Sequence, residues 1–292
     1  DHLDYHKTFK DYLNAKLILF KKLMKKGSFV IFDEDIKYAK ILKNICKKNK
    51  IKKFTIGELN GDLLIEKYSI VDNKQELTFS FNKKKYNLKT QLIGKIQIKN
   101  LLMSILAAHK SNIKLDNILK SVENIKAVPG RFEEIGNFKN NSIAILDYAH
   151  TPDALKTCVL NIKEQFKHRK VNLVFGCGGD RDKPKRSIMG KIANDLCDKI
   201  YLTDDNPRTE SPKKIRNNIK AKILKSKLVE IPSRKKAIEK AIKDLRSDEI
   251  LIVAGKGHEN YQEYKTKKFF SDKACMIAVS YTHLTLPTKA LV

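Results

Sequence analysis

The second half of the chain alternates short apolar runs with amphipathic stretches, and this alternation constrains the fold more than any other feature. The apolar runs predict strands at 142–147, 171–175, 199–202 and 249–253. The amphipathic stretches predict helices at 152–166 and 185–196, and two more that begin after Ser211 and at Ser233. Strands that alternate with helices form a parallel sheet with helices on both faces. The sequence therefore predicts an α/β fold with a doubly wound sheet.

A polar loop follows each of these strands. The loops are DYAHTPD (147–153), GCGGDRD (176–182), TDDNPR (203–208) and AGKGHE (254–259). The carboxyl ends of parallel strands lie at one edge of a sheet, and open α/β sheets bind ligands there. Pro207 cannot continue a strand ladder and fixes its own φ, so Arg208 is predicted to stand on a rigid loop at this edge. The clustering of these loops predicts a binding site.

The first half of the chain is less regular. It predicts a helix at 15–24, a strand at 29–32, several strands within 51–93 and a helix at 99–110. The Pro-Gly pair in AVPGRFEE (127–134) predicts a hinge, and so a boundary between a domain at 1–129 and one at 130–279. Residues 280–292 show no helical period. We interpret them as an atypical tail, with an assembly artefact as one explanation, and set them aside from the fold.

Composition narrows the function classes. The net charge of +27 allows a nucleic-acid-binding surface, a lysine-rich solvated surface or a site for anionic substrates. The lysines are scattered in short runs without interleaved aromatic residues, which disfavours nucleic-acid binding. No apolar run approaches the length of a membrane span. The five cysteines show no CxxC spacing, which indicates reduced thiols in the cytoplasm.

Seven motifs in order resemble the Mur ligases. They are DHLDYH, AKLILF, PGRFEE, DYAHTPDAL, GCGGDRDKPKRSIMG, TDDNPRTE and AGKGHENYQ, which extend from residue 1 to 262. The resemblance covers residues 1 to about 279 and is strongest for members that add meso-diaminopimelate to a UDP-N-acetylmuramoyl dipeptide. It implies the C-terminal part of a central ATPase domain followed by a Rossmann-like amino-acid-binding domain. It also implies ATP and Mg²⁺ as cofactors and a cytoplasmic monomer without nucleic-acid partners or membrane insertion.

The reaction that the resemblance implies is ATP-dependent amide formation through an acyl phosphate. Charge accumulates on phosphoryl oxygens during such a transfer, so the site needs cations and precise positioning. The chain contains no GxxxxGK[ST] motif. We therefore expect the P-loop and a uridine-binding domain to precede residue 1, and the chain by itself to be inactive in ligation.

In the ATPase part, the resemblance gives His2 the role of a Mg²⁺ ligand and Lys16 that of a carbamylated catalytic residue beside the same Mg²⁺. Four apolar residues follow Lys16, which predicts partial burial, and burial favours the neutral amine that takes up CO₂. The alternative is a lysine that snorkels from an amphipathic helix. Asn100 resembles an asparagine near the nucleotide, although Gln97 stands where a second asparagine is usual. The alternative for Asn100 is a helix N-cap.

In the last domain, the resemblance assigns Arg131 to ATP and Asp147 to the nucleotide ribose. The alternative for Asp147 is a helix N-cap or a turn former. The resemblance assigns Arg181 to a carboxylate of the incoming amino acid, and the alternative is an ordinary surface arginine.

The segment DNPR matches the family marker for meso-diaminopimelate, whose far end is a second amino-acid head. The implied substrate-binding positions here are Asp205, Asn206, Pro207, Arg208, Gly255 and Glu259. Arg208 would bind the distal carboxylate bidentately, Glu259 would pair with the distal ammonium, and the Gly255 backbone would accept a bond from it. L-Lysine would leave Arg208 unpaired, at a cost of several kcal/mol if buried. A ligase for L-lysine or another amino acid, and a basic nucleic-acid-binding module, are the alternatives.

Overall fold

The structure is a computed structural model that describes residues 8–137 and 141–284, without the side chains of residues 137 and 281–284. The chain divides into two compact units, with the division between Lys126 and Ala127. We call them the first unit and the second unit and describe each by itself. The predicted domain boundary after residue 129 stays a prediction.

The first unit contains a five-stranded sheet in the order β1-β2-β3-β4-β5. Its strands are β1 (Phe29–Asp33), β2 (Lys52–Gly57), β3 (Leu63–Val71), β4 (Lys74–Phe81) and β5 (Lys84–Thr90). β1, β2 and β3 are parallel, and β4 is antiparallel to both β3 and β5. The two hairpins have two-residue turns, Asp72-Asn73 and Asn82-Lys83, with positive φ at every turn residue. Such turns match the right-handed twist of paired strands.

The helices of the first unit are α1 (Phe9–Ile18), α2 (Ala39–Lys48), α3 (Lys95–Lys110) and α4 (Leu115–Val122). A π-helical turn, Leu19–Leu23, follows α1. The predicted helix starts at 15 and 99 were wrong. α1 begins earlier because Thr8 caps it by accepting a bond from the Asp11 N–H, and α3 begins directly after Gly94. Neither α2 nor α4 was predicted.

The second unit contains a six-stranded sheet in the order β10-β9-β8-β11-β7-β6. Its strands are β6 (Glu133–Asn137), β7 (Ile143–Asp147), β8 (Val171–Phe175), β9 (Lys199–Leu202), β10 (Leu228–Glu230) and β11 (Ile250–Ala254). Every pairing is parallel except that of β6 with β7. All four predicted strands are therefore confirmed within one residue at each end.

Helices cover both faces of this sheet. They are α5 (Pro152–Gln165), α6 (Lys185–Leu196), α7 (Pro212–Lys220), α8 (Arg234–Lys243) and α9 (Asp272–Leu284). α8 and α9 pack together and bury one side of the strands through a cluster that includes Leu146, Val174 and Ile238. α5, α6 and α7 pack in succession. Strand residues that point to either face of the sheet are buried, so the predicted doubly wound α/β fold is confirmed.

A small hairpin was not predicted, whereas a last helix capped by Ser271 was predicted and proves longer than expected. β12 (Tyr261–Tyr264) and β13 (Thr266–Phe269) form an antiparallel pair beside the main sheet. α9 continues to Leu284, five residues into the stretch set aside as a tail, and the remainder of that stretch lies outside the described residues. Among the helices of the described residues, none combines the length and the apolarity that crossing a bilayer requires.

Candidate functional site

Four loops of the second unit meet at the carboxyl edge of its sheet, as the strand pattern predicted. The Gly179 N–H donates to the Asn206 carbonyl over 2.9 Å, and the Gly255 N–H donates to the Asp147 carbonyl over 3.1 Å. The Asn206 side chain in turn donates to Glu259 over 3.1 Å. The candidate substrate-binding residues are therefore connected to one another by hydrogen bonds.

The glycines of GCGGDRD allow this loop to lie directly against TDDNPR. A Cβ on Gly179 would stand 1.9 Å from the Pro207 carbonyl oxygen, and one on Gly176 would stand 2.3 Å from the Thr203 carbonyl oxygen. Any larger residue would separate the two loops. The glycine-rich sequence thus serves close packing between backbones.

Asn206 and Glu259 share a buried cation that the sequence analysis missed. Lys256 is fully buried, and its ammonium donates to Asn206 Oδ1 over 3.0 Å and to Glu259 Oε2 over 3.1 Å. Asn206 Oδ1 also accepts from the Glu263 N–H over 3.0 Å, so the Asn206 amide links three segments of the chain. Glu259 Oε1 contacts only the Tyr148 hydroxyl, over 3.4 Å, among the described residues. This oxygen remains able to accept a bond from a ligand.

Arg208 stands at the exposed end of this network with a positive φ of 55°. Its Nη1 donates to the Gly179 carbonyl over 2.8 Å, and its Nε lies 3.3 Å from Glu263 Oε2. Its backbone pairs with β12, since the Arg208 N–H donates to the Glu263 carbonyl over 3.0 Å. The side chain is 23% exposed. Within the described residues, Nη2 donates no hydrogen bond, since the contacts of the guanidinium use Nη1 and Nε. The guanidinium is thus held in place through Nη1 and Nε, and Nη2 is available to a ligand.

Asp205 and Pro207 shape the loop. The Asp205 carboxylate accepts from the Asn206 N–H over 2.7 Å, and its carbonyl accepts from Gln262 Nε2 over 2.8 Å. Pro207 is buried against Gly179. These contacts place both residues in the framework of the loop, and their role in substrate binding stays a prediction.

Arg181 lies on the outer side of the glycine-rich loop. It is exposed, and the described residues include no ion-pair partner for it. Its neighbour Asp180 accepts bonds from the Thr209 hydroxyl and N–H over 2.9 Å and 3.1 Å, which fixes the loop that carries Arg181. Its assignment to a substrate carboxylate stays a prediction.

A second buried ion pair anchors both of these loops from beneath. The Arg186 guanidinium donates to both oxygens of Glu210 over 3.0 Å and 2.8 Å, and to the Gly178 carbonyl over 3.3 Å. These hydrogen bonds lower the pKa of Glu210 to about 2. The carboxylate is thus ionised at neutral pH and fixed to α6.

Arg131 and Asp147, the residues of the second unit that are assigned to the nucleotide, lie around Tyr148. The Arg131 guanidinium carbon stands 4.5 Å from the centroid of the Tyr148 ring, and the rings of His150 and His258 lie 4.6 Å and 5.4 Å from it. The Arg131 cation is stabilised by the face of the aromatic ring. Arg131 is exposed, which leaves it accessible to an anion.

Asp147 is a turn former in this structure. Its carboxylate accepts from the Ala149 N–H over 2.8 Å and from the Phe132 N–H over 2.9 Å, while Thr151 caps α5. The N-cap alternative was therefore wrong. Burial raises the pKa of Asp147, and the two N–H donors and Arg131 oppose that rise. Contact with a ribose stays a prediction.

The candidates of the first unit lie on helix surfaces. Lys16 is exposed, so the predicted partial burial was wrong. Its helix buries Leu17 in a cluster with Phe32, and Lys16 lies on the flank of that apolar stripe, with its ammonium 5.4 Å from the centroid of the Tyr12 ring. Asn100 is exposed within α3, five positions after its first residue, so the N-cap alternative was also wrong. His2 lies outside the described residues.

Two family descriptions match the chain. "Mur ligase middle domain" matches residues 1–108, and "Mur ligase, glutamate ligase domain" matches residues 130–257. A protein of Rickettsia montanensis named "UDP-N-acetylmuramoyl-L-alanyl-D-glutamate--2,6-diaminopimelate ligase" is 43% identical over 275 residues, which is 94% of this chain and 56% of that protein. The chain belongs to the Mur ligase family.

Solved structures agree with this placement. One solved Mur ligase has the same name and is 30% identical to this chain, with a TM-score of 0.64. The match covers 97% of this chain and 58% of that chain. MurF ligase from Thermotoga maritima, solved in complex with ADP, is 15% identical with a TM-score of 0.70 over 97% of this chain and 60% of that chain, which shows the shared fold. The chain spans little more than half the length of these Mur ligases.

Sequence reasoning missed two kinds of contribution to this Mur ligase site. Lys256 was available from AGKGHE, since a lysine between two glycines and three residues before a glutamate is a candidate ion-pair partner. The β12–β13 hairpin carries only weak strand signals, with lysine at Lys265, Lys267 and Lys268, yet its backbone holds Arg208. Only the tertiary structure reveals that second contribution.

Proposed function

We propose that the full-length protein is an ATP-dependent ligase that joins meso-diaminopimelate to UDP-N-acetylmuramoyl-L-alanyl-D-glutamate in peptidoglycan synthesis. The names of the 43% and 30% identical Mur ligases support this substrate pair. One observation in the structure carries the amino-acid choice. Arg208 and Glu259 both contact Asn206, the first through its carbonyl over 3.4 Å and the second through its amide over 3.1 Å. A cation and an anion thus stand at either side of one residue, which is the complement of an amino-acid head.

The distal head of meso-diaminopimelate would bind between these two charges. Its carboxylate would accept a hydrogen bond from Nη2 of Arg208, and its ammonium would donate one to Oε1 of Glu259. These are the two atoms that the internal network leaves available. The Gly255 carbonyl would accept a further bond. L-Lysine has the ammonium but no distal carboxylate, so it would leave Nη2 of Arg208 without an acceptor, although Glu263 would still pair with Nε. Sites built for a polar group discriminate strongly against ligands that lack it.

The remaining head would carry out the chemistry. Arg181 would bind its carboxylate, and its amine would attack the acyl carbon of the acyl phosphate, with release of phosphate. The bond that forms is the amide C–N bond, and the bond that breaks is the acyl C–O bond to phosphate. Positioning of the amine is the contribution of the second unit to this step.

ATP would bind through Arg131, Asp147 and Asn100, with the exposed guanidinium of Arg131 on a phosphate. Mg²⁺ would neutralise charge on the phosphates. No group of three or more His, Cys, Asp or Glu side chains with metal-site geometry exists within residues 8–137 and 141–284. Mg²⁺ would be held by the phosphate oxygens, His2 and the carbamate oxygens of a carboxylated Lys16, which is exposed on α1. We also propose a cytoplasmic monomer without a nucleic-acid partner.

The test is an assay of the full-length protein with ATP, Mg²⁺ and the UDP-N-acetylmuramoyl dipeptide. ADP release and tripeptide product are measured with meso-diaminopimelate and with L-lysine. The proposal expects turnover that depends on ATP and prefers diaminopimelate by roughly 10³-fold or more in kcat/KM. Equal turnover with both amino acids would support a Mur ligase of relaxed specificity and contradict the role of Arg208. Absence of turnover with either would contradict the ligase assignment.

A further inference from the structure

A fully buried arginine lies beneath the carboxyl-edge site. Arg234 is the first residue of α8 and is 0% exposed. Its Nε and Nη2 donate to the two oxygens of Asp272 over 2.8 Å and 2.7 Å, and Asp272 is itself buried at the start of α9. This bidentate pair joins the N-termini of the two helices that cover one face of the sheet.

The remaining contacts of Arg234 face the proposed substrate loops. Nη2 also donates to the carbonyl of Ala254 over 2.9 Å, at the last residue of β11 and directly before Gly255. Nη1 has no hydrogen-bond partner among the residues that the structure describes and lies 3.9 Å from Oδ2 of Asp205. A Cβ on Gly255 would stand 2.9 Å from the same Asp205 oxygen. The guanidinium therefore contacts two loops of the site. It reaches the AGKGHE loop through a hydrogen bond and the TDDNPR loop through its charge.

Asp272 links this ion pair to a third part of the site. α9 begins just after the β12–β13 hairpin, and that hairpin pairs with Arg208 through the Arg208 N–H and the Glu263 carbonyl, over 3.0 Å. The start of α9 is also fixed by Ser271, whose hydroxyl accepts from the Ala274 N–H over 3.2 Å. Displacement of Asp272 would thus reach the segment that carries Arg208.

We propose that Arg234 is a positioning residue for recognition of the distal amino-acid head, an inference that rests on the proposed function. Its guanidinium sets the spacing between the loop of Asp205 and the loop of Gly255. Its pairing with Asp272 fixes both loops to the start of α9. Arg234 does not touch the substrate. It acts through the backbone of Gly255 and through the loop that presents Asn206 and Arg208.

A purely structural role makes a different prediction. Replacement of a buried ion pair by apolar residues of similar volume is often neutral or stabilising for a fold. The double variant Arg234→Met with Asp272→Leu should therefore retain the fold. It should nevertheless lose the charge at 3.9 Å from Asp205 and the bond to the Ala254 carbonyl. Stability and substrate recognition are separated in this variant.

The experiment compares this double variant and Arg234→Lys with the wild-type full-length protein. Thermal unfolding is measured first, and then KM for meso-diaminopimelate, for ATP and for the UDP-linked dipeptide. We expect both variants to raise KM for diaminopimelate roughly 10- to 100-fold, because small displacements of positioned groups have effects of that size. KM for ATP should rise clearly less than KM for diaminopimelate, because Arg234 reaches the proposed ATP residues only indirectly, through the bond from the Gly255 N–H to the Asp147 carbonyl.

The control is Asp244→Asn, at the opposite end of α8. The Asp244 carboxylate accepts bonds from Lys199 and from the Tyr201 hydroxyl, over 2.7 Å each, far along the helix from Arg234. This variant should lower the unfolding temperature and leave every KM unchanged. An unaltered KM for diaminopimelate in the folded Arg234 variants would overturn the proposal, as would a rise of equal size in all three KM values.

The same assay separates this inference from the proposed function. If the wild-type protein does not use meso-diaminopimelate, the proposed function fails. If the wild-type protein uses it and the folded Arg234→Lys variant keeps the wild-type KM, only the positioning role of Arg234 fails. Should the double variant not fold, Arg234→Lys decides the outcome, measured at a temperature below its own unfolding midpoint.

Discussion

The two units prepare their candidate residues in opposite ways. In the second unit, Asn206, Lys256 and Glu259 are joined by hydrogen bonds of 3.0–3.1 Å. In the first unit, Lys16 and Asn100 stand exposed on helices, and the Asn100 side chain makes a long hydrogen bond of 3.5 Å to Gln97. The second unit therefore holds a site whose geometry the fold fixes in advance. The first unit offers side chains whose geometry depends on what binds them.

This difference suits the two tasks that we propose. Discrimination between amino acids needs fixed charges, because a flexible arginine could adapt to a ligand without a carboxylate. Contact with phosphates and Mg²⁺ needs cations and oxygen ligands that close around a ligand. Mutations in the network of the second unit should therefore change the stability of the fold. Mutations of the exposed candidates in the first unit should change activity with little effect on stability.

Lys256→Met should have the largest effect. It removes a fully buried ammonium and leaves Glu259 and Asn206 Oδ1 without it, and the loss of one partner of a buried ion pair costs about 3–5 kcal/mol. Urea unfolding of the full-length protein measures the change. A loss below about 1 kcal/mol would mean that the network is not fixed by the fold.

Gly130→Ala should follow. Gly130 has a φ of +70°, and a Cβ there would stand 2.3 Å from the His258 nitrogen, so strain and overpacking together should cost about 2–5 kcal/mol. Gly27→Ala in the first unit is the matched control, since Gly27 has a φ of +84° with nothing within 4 Å of the added Cβ. That variant should cost only about 1–2 kcal/mol. Equal losses would show that the packing of the PGR turn contributes nothing.

Glu210→Gln should alter the dependence of stability on pH. The folded pKa of about 2 lies below the usual value of a glutamate, so the paired carboxylate stabilises the fold above about pH 5 and loses that contribution as the pH falls toward 2. The substitution should cost about 1.5–3 kcal/mol at pH 7 and flatten the unfolding free energy between pH 5 and pH 2. An unchanged slope in that window would contradict the pairing with Arg186.

Lys16→Met should have the smallest effect on stability. The side chain is exposed, so the unfolding free energy should change by less than about 0.5 kcal/mol. If Lys16 carries the carbamate, the same variant should lose at least about 100-fold in kcat, because a positioned charge in phosphoryl transfer is removed. Retained turnover would remove Lys16 from the proposed site. The result also contrasts directly with the same substitution at Lys256.

The strand–helix alternation was sufficient to predict the second unit. Strands such as 171–175 and 199–202 were read to the residue, because a parallel sheet buries both faces and produces continuous apolar runs. The meeting of the four loops followed from that topology. In the first unit, the start of α1 was missed because Lys10 and Asp11 interrupt the apolar pattern of its first turn and Thr8 defines its beginning.

The contacts beneath the site could not be predicted. Arg234 opens an ordinary amphipathic helix, and nothing local distinguishes it from the lysines that follow. Its partner Asp272 is remote in sequence, and the burial of both depends on the packing of α8 against α9. Lys16 shows the converse, since four apolar neighbours suggested a burial that the helix does not provide.

The most direct test of the account crosses two arginines with two amino acids. kcat/KM is measured for meso-diaminopimelate and L-lysine with the wild-type full-length protein, Arg208→Ala and Arg181→Ala. In the proposal, Arg208 binds the distal carboxylate, which L-lysine lacks, so its removal should abolish most of the preference for diaminopimelate. In the proposal, Arg181 binds the head that both amino acids share, so its removal should lower both values and keep their ratio. A preference that survives Arg208→Ala, or that disappears with Arg181→Ala, would contradict the assignment of the distal head to the Arg208 loop.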